Sequence, residues 1–410
     1  MHIPSADARA TILKAGVSQQ ARHRQLLKRL APERWPLDPT LLPPGTALVG
    51  GAVRDALLGR LRSCPDLDLV VPDEVIRLSK KLAGQLNGTC VVLDEERDMA
   101  RLVLKGWTID LARQAGTSLV DDLWRRDFCL NAIALPLEAD AEICDPTDGI
   151  ADLRDSRLRA VHESNLVDDP LRLLRGLRLM AEIPLAMEPT TAAWIHRHRH
   201  SLRHAAPERV LNELQRLVCG PWAEAAMTQL MQFGLLSPWA TDEIPARPMR
   251  SALLSRDEAA VALPLARLTS LVSDAGLERL RASKLQRLRC RRLRYWQRQL
   301  GSDPSGLSET QRLQLHEELG QDLPALVLTL PDPTQQLWLQ RWRDPSDPLF
   351  HPQSPVDGRT LQRELGVKPG PSLGHLLRHL RQERAYGRIV NEHDAIKEAH
   401  LFITRKGSSL

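Results

Sequence analysis

Strand-type segments in this chain are confined to residues 46 to about 150, and from there to residue 410 a helical rhythm of Leu and Arg takes over. Any sheet must therefore be built from that one stretch, with helices supplying the rest. Within it the pattern reads strand TALV (46–49), turn Gly50-Gly51, helix AVRDALLG (52–59), strand DLDLVV (66–71) and helix VIRLSKKLAGQL (75–86). Strands TCVVLD (89–94), MARLVL (99–104) and WTIDLA (107–112) follow. Asn87-Gly88 predicts a left-handed cap closing the second helix, and Lys105-Gly106 a tight hairpin between the last two strands. The turn cluster Asp145-Pro146-Thr147-Asp148-Gly149 ends the region.

The expected class is α+β: a head with a small mixed sheet at 46–150, preceded by a basic helical extension at 1–45. Helical segments are expected at 151–220, 221–344 and 345–410. Pro238, Pro245 and Pro248 mark one break, and the prolines from Pro324 through Pro355 a longer one. An aromatic content of only 4% suits a mainly helical protein. The net charge of +5 favours a polyanionic partner without requiring one. Cys64, Cys90, Cys129, Cys144, Cys219 and Cys290 are scattered, with no CxxC or Cys/His cluster, so neither a zinc site nor a disulfide framework is expected. No run approaches the roughly eighteen apolar residues of a membrane span, and a cytoplasmic protein with no membrane partner is expected.

Asp66 and Asp68 stand two apart in an apolar strand, so both carboxylates leave the same face and would repel without a cation between them. Such a pair holds divalent metal, and Asp110 on a neighbouring strand is the candidate third carboxylate of a two-metal clamp. A DxD alone can equally be a solvated strand end. The Gly-Gly turn upstream adds weight: Gly50 and Gly51 let backbone N–H groups approach a triphosphate at a helix N-terminus, and Arg54 can add charge there. The spacing is neither GxGxxG nor a Walker loop, which excludes dinucleotide and P-loop readings.

The runs LVGGAVRDALLG and DLDLVV, then RRDFCLNAIAL at 125–135, then DDPLRLLRGLR at 168–178, resemble the bacterial class II tRNA nucleotidyltransferase and poly(A) polymerase family over roughly 46–220. The resemblance implies a polymerase-β-like head (46–150), then an all-α neck (151–220) that recognises the base, body (221–344) and tail (345–410). It implies magnesium-dependent transfer of CMP and AMP from CTP and ATP to the 3′ end of tRNA. Asp66 and Asp68 become the metal ligands, Gly50, Gly51 and Arg54 the triphosphate cradle, and Arg126, Asp127 and Asn131 the contacts to sugar and phosphates. Asp169 and Arg172, with Arg175 on the same stripe, become the base reader. Asp169 and Arg172 are expected i, i+3 on one helix and hence side by side, a carboxylate to accept from an exocyclic amine and a guanidinium to donate to an unprotonated ring nitrogen. From the pattern alone, the competing reading has Asp169 capping a helix while the arginines form a solvated stripe.

For the RNA, helix KLQRLRCRRLRYWQRQL (284–300) places Leu285, Leu288, Leu293, Trp296 and Leu300 on one arc and Lys284, Arg287, Arg291, Arg294 and Arg298 on the other, a stripe suited to phosphates. GVKPGPSLGHLL in the tail is either a backbone grip or an interhelical loop, and His393-Asp394 reads as a helix cap. Some full CCA-adding members of the family carry a longer flexible segment before the RRDF block, which the resemblance associates with the switch from C to A. Here fourteen residues separate Asp110 from Arg125, which leaves addition of CC alone or A alone open. Poly(A) synthesis and a non-catalytic RNA-binding role are the competing readings, and the sequence does not reveal the oligomeric state.

Overall fold

The computed structural model describes residues 12–241, 249, 251–300 and 306–407. Pro245, Pro248 and the first eleven residues of the N-terminal segment lie outside the described residues.

The head sheet has six strands: β1 (Ala47–Val49), β2 (Leu67–Val71), β3 (Thr89–Asp94), β4 (Met99–Leu104), β5 (Trp107–Arg113) and β6 (Ala134–Pro136), in the order β3-β4-β5-β2-β1-β6. Only β2 and β5 run parallel; the other pairings are antiparallel. Helices Gly51–Leu57 and Val75–Leu86 follow β1 and β2. Asn87 (φ 54°) ends the second helix, its N–H donating to the Ala83 carbonyl. Lys105 (φ 47°) and Gly106 (φ 83°) make the two-residue turn that pairs Leu104 with Trp107. The sequence reading missed β6, because three residues ending in proline show no alternation; β1 recruits it as an edge, Val49 opposite Ala134.

Alternation sorts the sheet into two unlike faces. One carries Leu48, Leu67, Leu69, Leu102, Leu104, Ile109 and Leu111, all buried. The other packs Ala47, Val49 and Val70 against Leu123, Ala132 and Ala134 near β1 and β6. Across β5, β4 and β3 that second face opens, leaving Val91 and Val103 exposed. Helix Gln19–Leu30 is fastened to the head: His23 Nε2 donates to the Pro136 carbonyl at 2.8 Å, and Arg29 donates to the Ala56 carbonyl at 2.7 Å. Arg29 thereby places a cation at the C-terminal end of helix Gly51–Leu57, complementing its dipole.

The described chain divides into two compact units, the first running up to Arg209 and including Gly220–Leu235, the second comprising Val210–Cys219 and the residues from Leu236 onward. In the first, helix Leu171–Glu182 is buried along Leu173, Leu174, Leu177 and Leu179, and helix Ala223–Phe233 packs beside it. Gly220 is required there, since a Cβ would stand 2.3 Å from the Ala181 carbonyl oxygen. A short parallel pair, Arg157–Leu158 with Ala186–Met187, was not foreseen. In the second unit, Val356, Leu361, Leu376, Leu380, Ile389, Ala395 and Ala399 form the C-terminal core. Asp394 accepts from the Val390 N–H at 3.2 Å, and Asn391 accepts from the Asp394 N–H, so His393-Asp394 belongs to a helix start.

Candidate functional site

Strand register assembles the acidic centre. Asp68 on β2 lies opposite Asp110 on β5, and Asp110 lies opposite Arg101 on β4, all on the open face of the sheet. Asp66 immediately precedes β2 and is exposed. Gly50, at φ 72°, turns the chain over this row: a Cβ on it would meet Asp68 Oδ2 at 3.1 Å and Arg126 Nη1 at 3.9 Å. The glycine turn, Asp68 and Arg126 are therefore neighbours. Arg126 is held in place by Asp122, whose Oδ2 accepts its Nη2 at 2.8 Å.

Burial first, then the neighbouring Asp110, raises the Asp68 carboxyl to about 6, with Asp66 adding to the rise and Arg126 and Arg175 opposing it. The charge of Asp68 is thus under-compensated by the protein itself, a setting that a divalent cation relieves. Asp110 differs from expectation. Its two oxygens accept from Arg101 Nε and Nη2 at 2.7 and 2.8 Å, so this carboxylate already has a counter-ion. No three His, Cys, Asp or Glu side chains are grouped closely enough among the described residues to cage a metal ion. Two carboxylates suffice for magnesium, which keeps several waters and completes its shell with substrate phosphates; Asp66 and Asp68 fit that role.

Because the folded Asp68 binds its proton more tightly than an unfolded aspartate at 3.8, stability falls as pH rises through the window from about 4 to about 6. Asp68→Asn is therefore expected to melt at a higher temperature than the parent protein in metal-free buffer above pH 6, the difference fading near pH 4. A lower melting temperature for Asp68→Asn at pH 7.5 would contradict this.

Arg54, Asp127, Asn131 and Arg175 form a second, interior network. Arg54 is buried: its Nη1 donates to Asn131 Oδ1 at 2.8 Å and its Nε to Asp55 Oδ1 at 2.9 Å. Asp127 accepts from Arg175 Nε at 2.8 Å, from Asn131 Nδ2 at 3.2 Å and from the Phe128 N–H at 2.8 Å. Burial pushes the Asp127 carboxyl up, but the Arg175 guanidinium and these donated hydrogen bonds override it and hold the group well below the usual carboxylate range. Arg60 extends the network, its Nε reaching Asp55 Oδ1 at 2.9 Å and its Nη1 the Glu182 carbonyl at 2.8 Å. As placed, Arg54, Asp127, Asn131 and Arg175 brace the wall of the site. Two of the Arg54 nitrogens are thus held inside, while its Nη2 stays beside the glycine turn, 3.7 Å from where a Cβ on Gly51 would stand.

Asp169 and Arg172 do not share a helix. Pro170 disfavours helical geometry at the residue before it, so helix Glu163–Asp168 stops and Leu171–Glu182 begins afresh. Asp169 Oδ1 accepts from the Leu171 N–H at 3.1 Å, a cap, and Oδ2 accepts from Arg209 Nη2 at 2.9 Å. Arg172 Nη1 donates to the carbonyls of Arg125 and Asn165 at 2.9 and 3.0 Å. The two charges remain close enough to interact, but each has another partner.

The basic stripe of helix Lys284–Leu300 is also redrawn. Arg294 is buried, donating to Asp274 and to the Thr269 and Val272 carbonyls. Arg287 pairs with Glu278 at 2.9 Å, while Leu285 and Leu288 of the supposed apolar arc are exposed. Arg294 is therefore withdrawn as an RNA contact: a charge this deep exists to satisfy its three neighbours. Lys284, Arg291 and Arg298 keep exposed side chains. The sequence reading missed Arg101, although the signal was present. A two-residue turn at 105–106 fixes the register that sets residue 101 opposite 110.

Residues 46–159 match the family model of the poly(A) polymerase head domain, and residues 184–240 match that of a probable RNA and SrmB-binding site of polymerase A. A CC-adding tRNA nucleotidyltransferase of Synechocystis sp. is 33% identical over 399 residues, covering 90% of this chain and 96% of that protein. A CCA-adding enzyme of Levilactobacillus brevis is 28% identical over 382 residues, covering 86% and 92%. Among solved structures, the Thermotoga maritima CCA-adding enzyme complexed with tRNA superposes with a TM-score of 0.68 at 20% identity, covering 96% of this chain and 98% of that one, which is a likeness of fold.

Proposed function

The chain belongs to the tRNA nucleotidyltransferase and poly(A) polymerase family, and from that premise we propose that it transfers CMP from CTP to the 3′ end of tRNA, adding CC. The observation that carries the reading is the approach of Gly50 to Asp68, which sets this carboxylate against the turn where a triphosphate would lie. The restriction to CC rests on two supports: the short link from β5 to the RRDF block, filled by helix Leu119–Trp124, and the near full-length similarity to a CC-adding relative.

In this reading Asp66 and Asp68 hold divalent metal, magnesium being the fitting ion. When bound, it supplies Lewis acidity at the attacking 3′ hydroxyl and neutralises charge on the departing pyrophosphate. Gly50 and Gly51 admit the triphosphate, and Arg126, steadied by Asp122, offers it a guanidinium. Asp110 contributes negative potential through its register with Asp68 while Arg101 holds it. Asp169 and Arg172 read the base edge, exchanging Arg209 and the two carbonyls for the exocyclic amine and ring nitrogen shared by cytosine and adenine. Uracil and guanine present a carbonyl and an N–H at those places, leaving buried groups opposed. A tRNA substrate places the activity in the cytoplasm, and no described helix is long and apolar enough to cross a membrane.

Incubating the protein with magnesium and tRNA lacking its three terminal nucleotides, or an unstructured RNA, first with each NTP singly and then with CTP and ATP together, tests this. Two C residues from CTP followed by arrest are expected. A subsequent A would establish full CCA addition, and a long A tail on unstructured RNA would overturn the assignment. Asp169→Ala and Arg172→Ala are expected to relax base choice, raising UMP or GMP incorporation relative to CMP by about tenfold or more for each lost hydrogen bond to a charged group. Unchanged selectivity would refute the base-reading role.

A further inference from the structure

Helices Lys284–Leu300 and Glu309–Leu319 enclose a cleft of about 280 Å³ lined by Arg291, Arg292, Tyr295, Gln314 and Glu318. It lies in the second unit, whereas the glycine turn and Asp68 belong to the first. Its charge is distinctive. Arg287, Arg289 and Arg294 of the same helix are neutralised by Glu278, Asp322 and Asp274. Arg291 has only a 3.8 Å approach to Asp274, with its side chain 66% exposed. Arg292 Nη1 donates to the Glu318 carbonyl at 3.2 Å, a neutral partner that leaves its charge unspent. Glu318 is the single acid of the lining, and its carboxylate oxygens already accept from Trp296 Nε1 at 2.9 Å and Gln314 Nε2 at 2.8 Å.

Tyr295 is 45% exposed at this cleft, and its ring is steadied by Trp296, with centroids 4.9 Å apart in an edge-on arrangement. An exposed ring flanked by two guanidiniums is the composition of a nucleotide subsite: the ring takes a base by stacking and the arginines take the adjoining phosphates. We infer that this cleft binds one unpaired nucleotide of the RNA acceptor, its base on Tyr295 and its phosphates on Arg291 and Arg292. The inference rests on the reading of the protein as an RNA-extending enzyme. RNA is favoured over a free nucleotide because the same helix carries further exposed cations on either side of the cleft, Lys284 and Arg298, which suits a chain of phosphates rather than one.

Filter binding of tRNA lacking its terminal nucleotides to the full-length protein tests it, at several salt concentrations. Tyr295→Ala is expected to weaken binding roughly tenfold, and Tyr295→Phe, which keeps the ring, to bind like the parent. Arg291→Ala with Arg292→Ala is expected to reduce the slope of log affinity against log salt by about 1.4, two contacts at about 0.7 each. Equal tRNA affinity for Tyr295→Ala and parent would overturn the inference. So would a Tyr295-dependent binding of CTP alone that survives in Asp68→Ala, because the cleft would then be a mononucleotide site. CMP incorporation by the parent protein is scored separately, so failure of the enzymatic reading shows itself without any variant in this cleft.

Discussion

Replacing Asp68 with Ala is expected to reduce CMP incorporation by roughly 10³-fold, corresponding to about 4 kcal/mol of lost transition-state stabilisation. Asp68 is placed at the meeting point of β2, β5 and the glycine turn, and its carboxyl is the one whose charge burial and Asp110 most disfavour. Asp110 cannot substitute for it while Arg101 grips both its oxygens. The loss should appear in single-turnover incorporation from CTP at saturating magnesium, with tRNA affinity unaltered and the fold intact by circular dichroism. Incorporation within tenfold of the parent would remove Asp68 from the reaction and favour a non-catalytic RNA-binding protein.

Gly50→Ala should combine two penalties that can be separated. At φ 72° and ψ −134° the backbone is one that an L side chain resists, a strain of about 1–3 kcal/mol. The added methyl would also stand 3.1 Å from Asp68 Oδ2, so the carboxylate must give way by a few tenths of an ångström; since a displacement of about 1 Å costs on the order of 100-fold in rate, a loss of several-fold is expected. Gly106→Ala is the control. It has φ 83° and nothing within 4 Å of a Cβ, so a comparable drop in melting temperature is expected without loss of rate. If Gly50→Ala retained parental incorporation, the turn would not adjoin the reacting centre.

The head was legible because its signals are local. The left-handed cap at Asn87 and the Lys105-Gly106 turn follow from dihedral preference, and the alternation in β4 and β5 fixes faces and register together. What the sequence hid depends on competition among partners. The i, i+3 spacing of Asp169 and Arg172 suggested one helix, but Pro170 lies between them, and the stop it imposes outweighs the periodicity. Arg294 looked solvated by type, yet an arginine within reach of Asp274 and two helix-end carbonyls is more useful inside. Arg54 divides its nitrogens in a way its motif does not reveal: Asn131 and Asp55 take two of them, and Nη2 remains beside Gly51.

Helix Leu171–Glu182 is tethered near both ends to the segment that follows the glycine turn. Arg175 is joined through Asp127, Asn131 and Arg54, and the Glu182 carbonyl through Arg60 and Asp55. The loop of contacts is closed, so any tilt of one helix is transmitted to the other. On the proposed reading, in which this helix carries the base reader and the glycine turn the phosphates, fidelity and turnover share one brace: a change that re-aims the one shifts the other, and selection for a new nucleotide would have to loosen that girdle first.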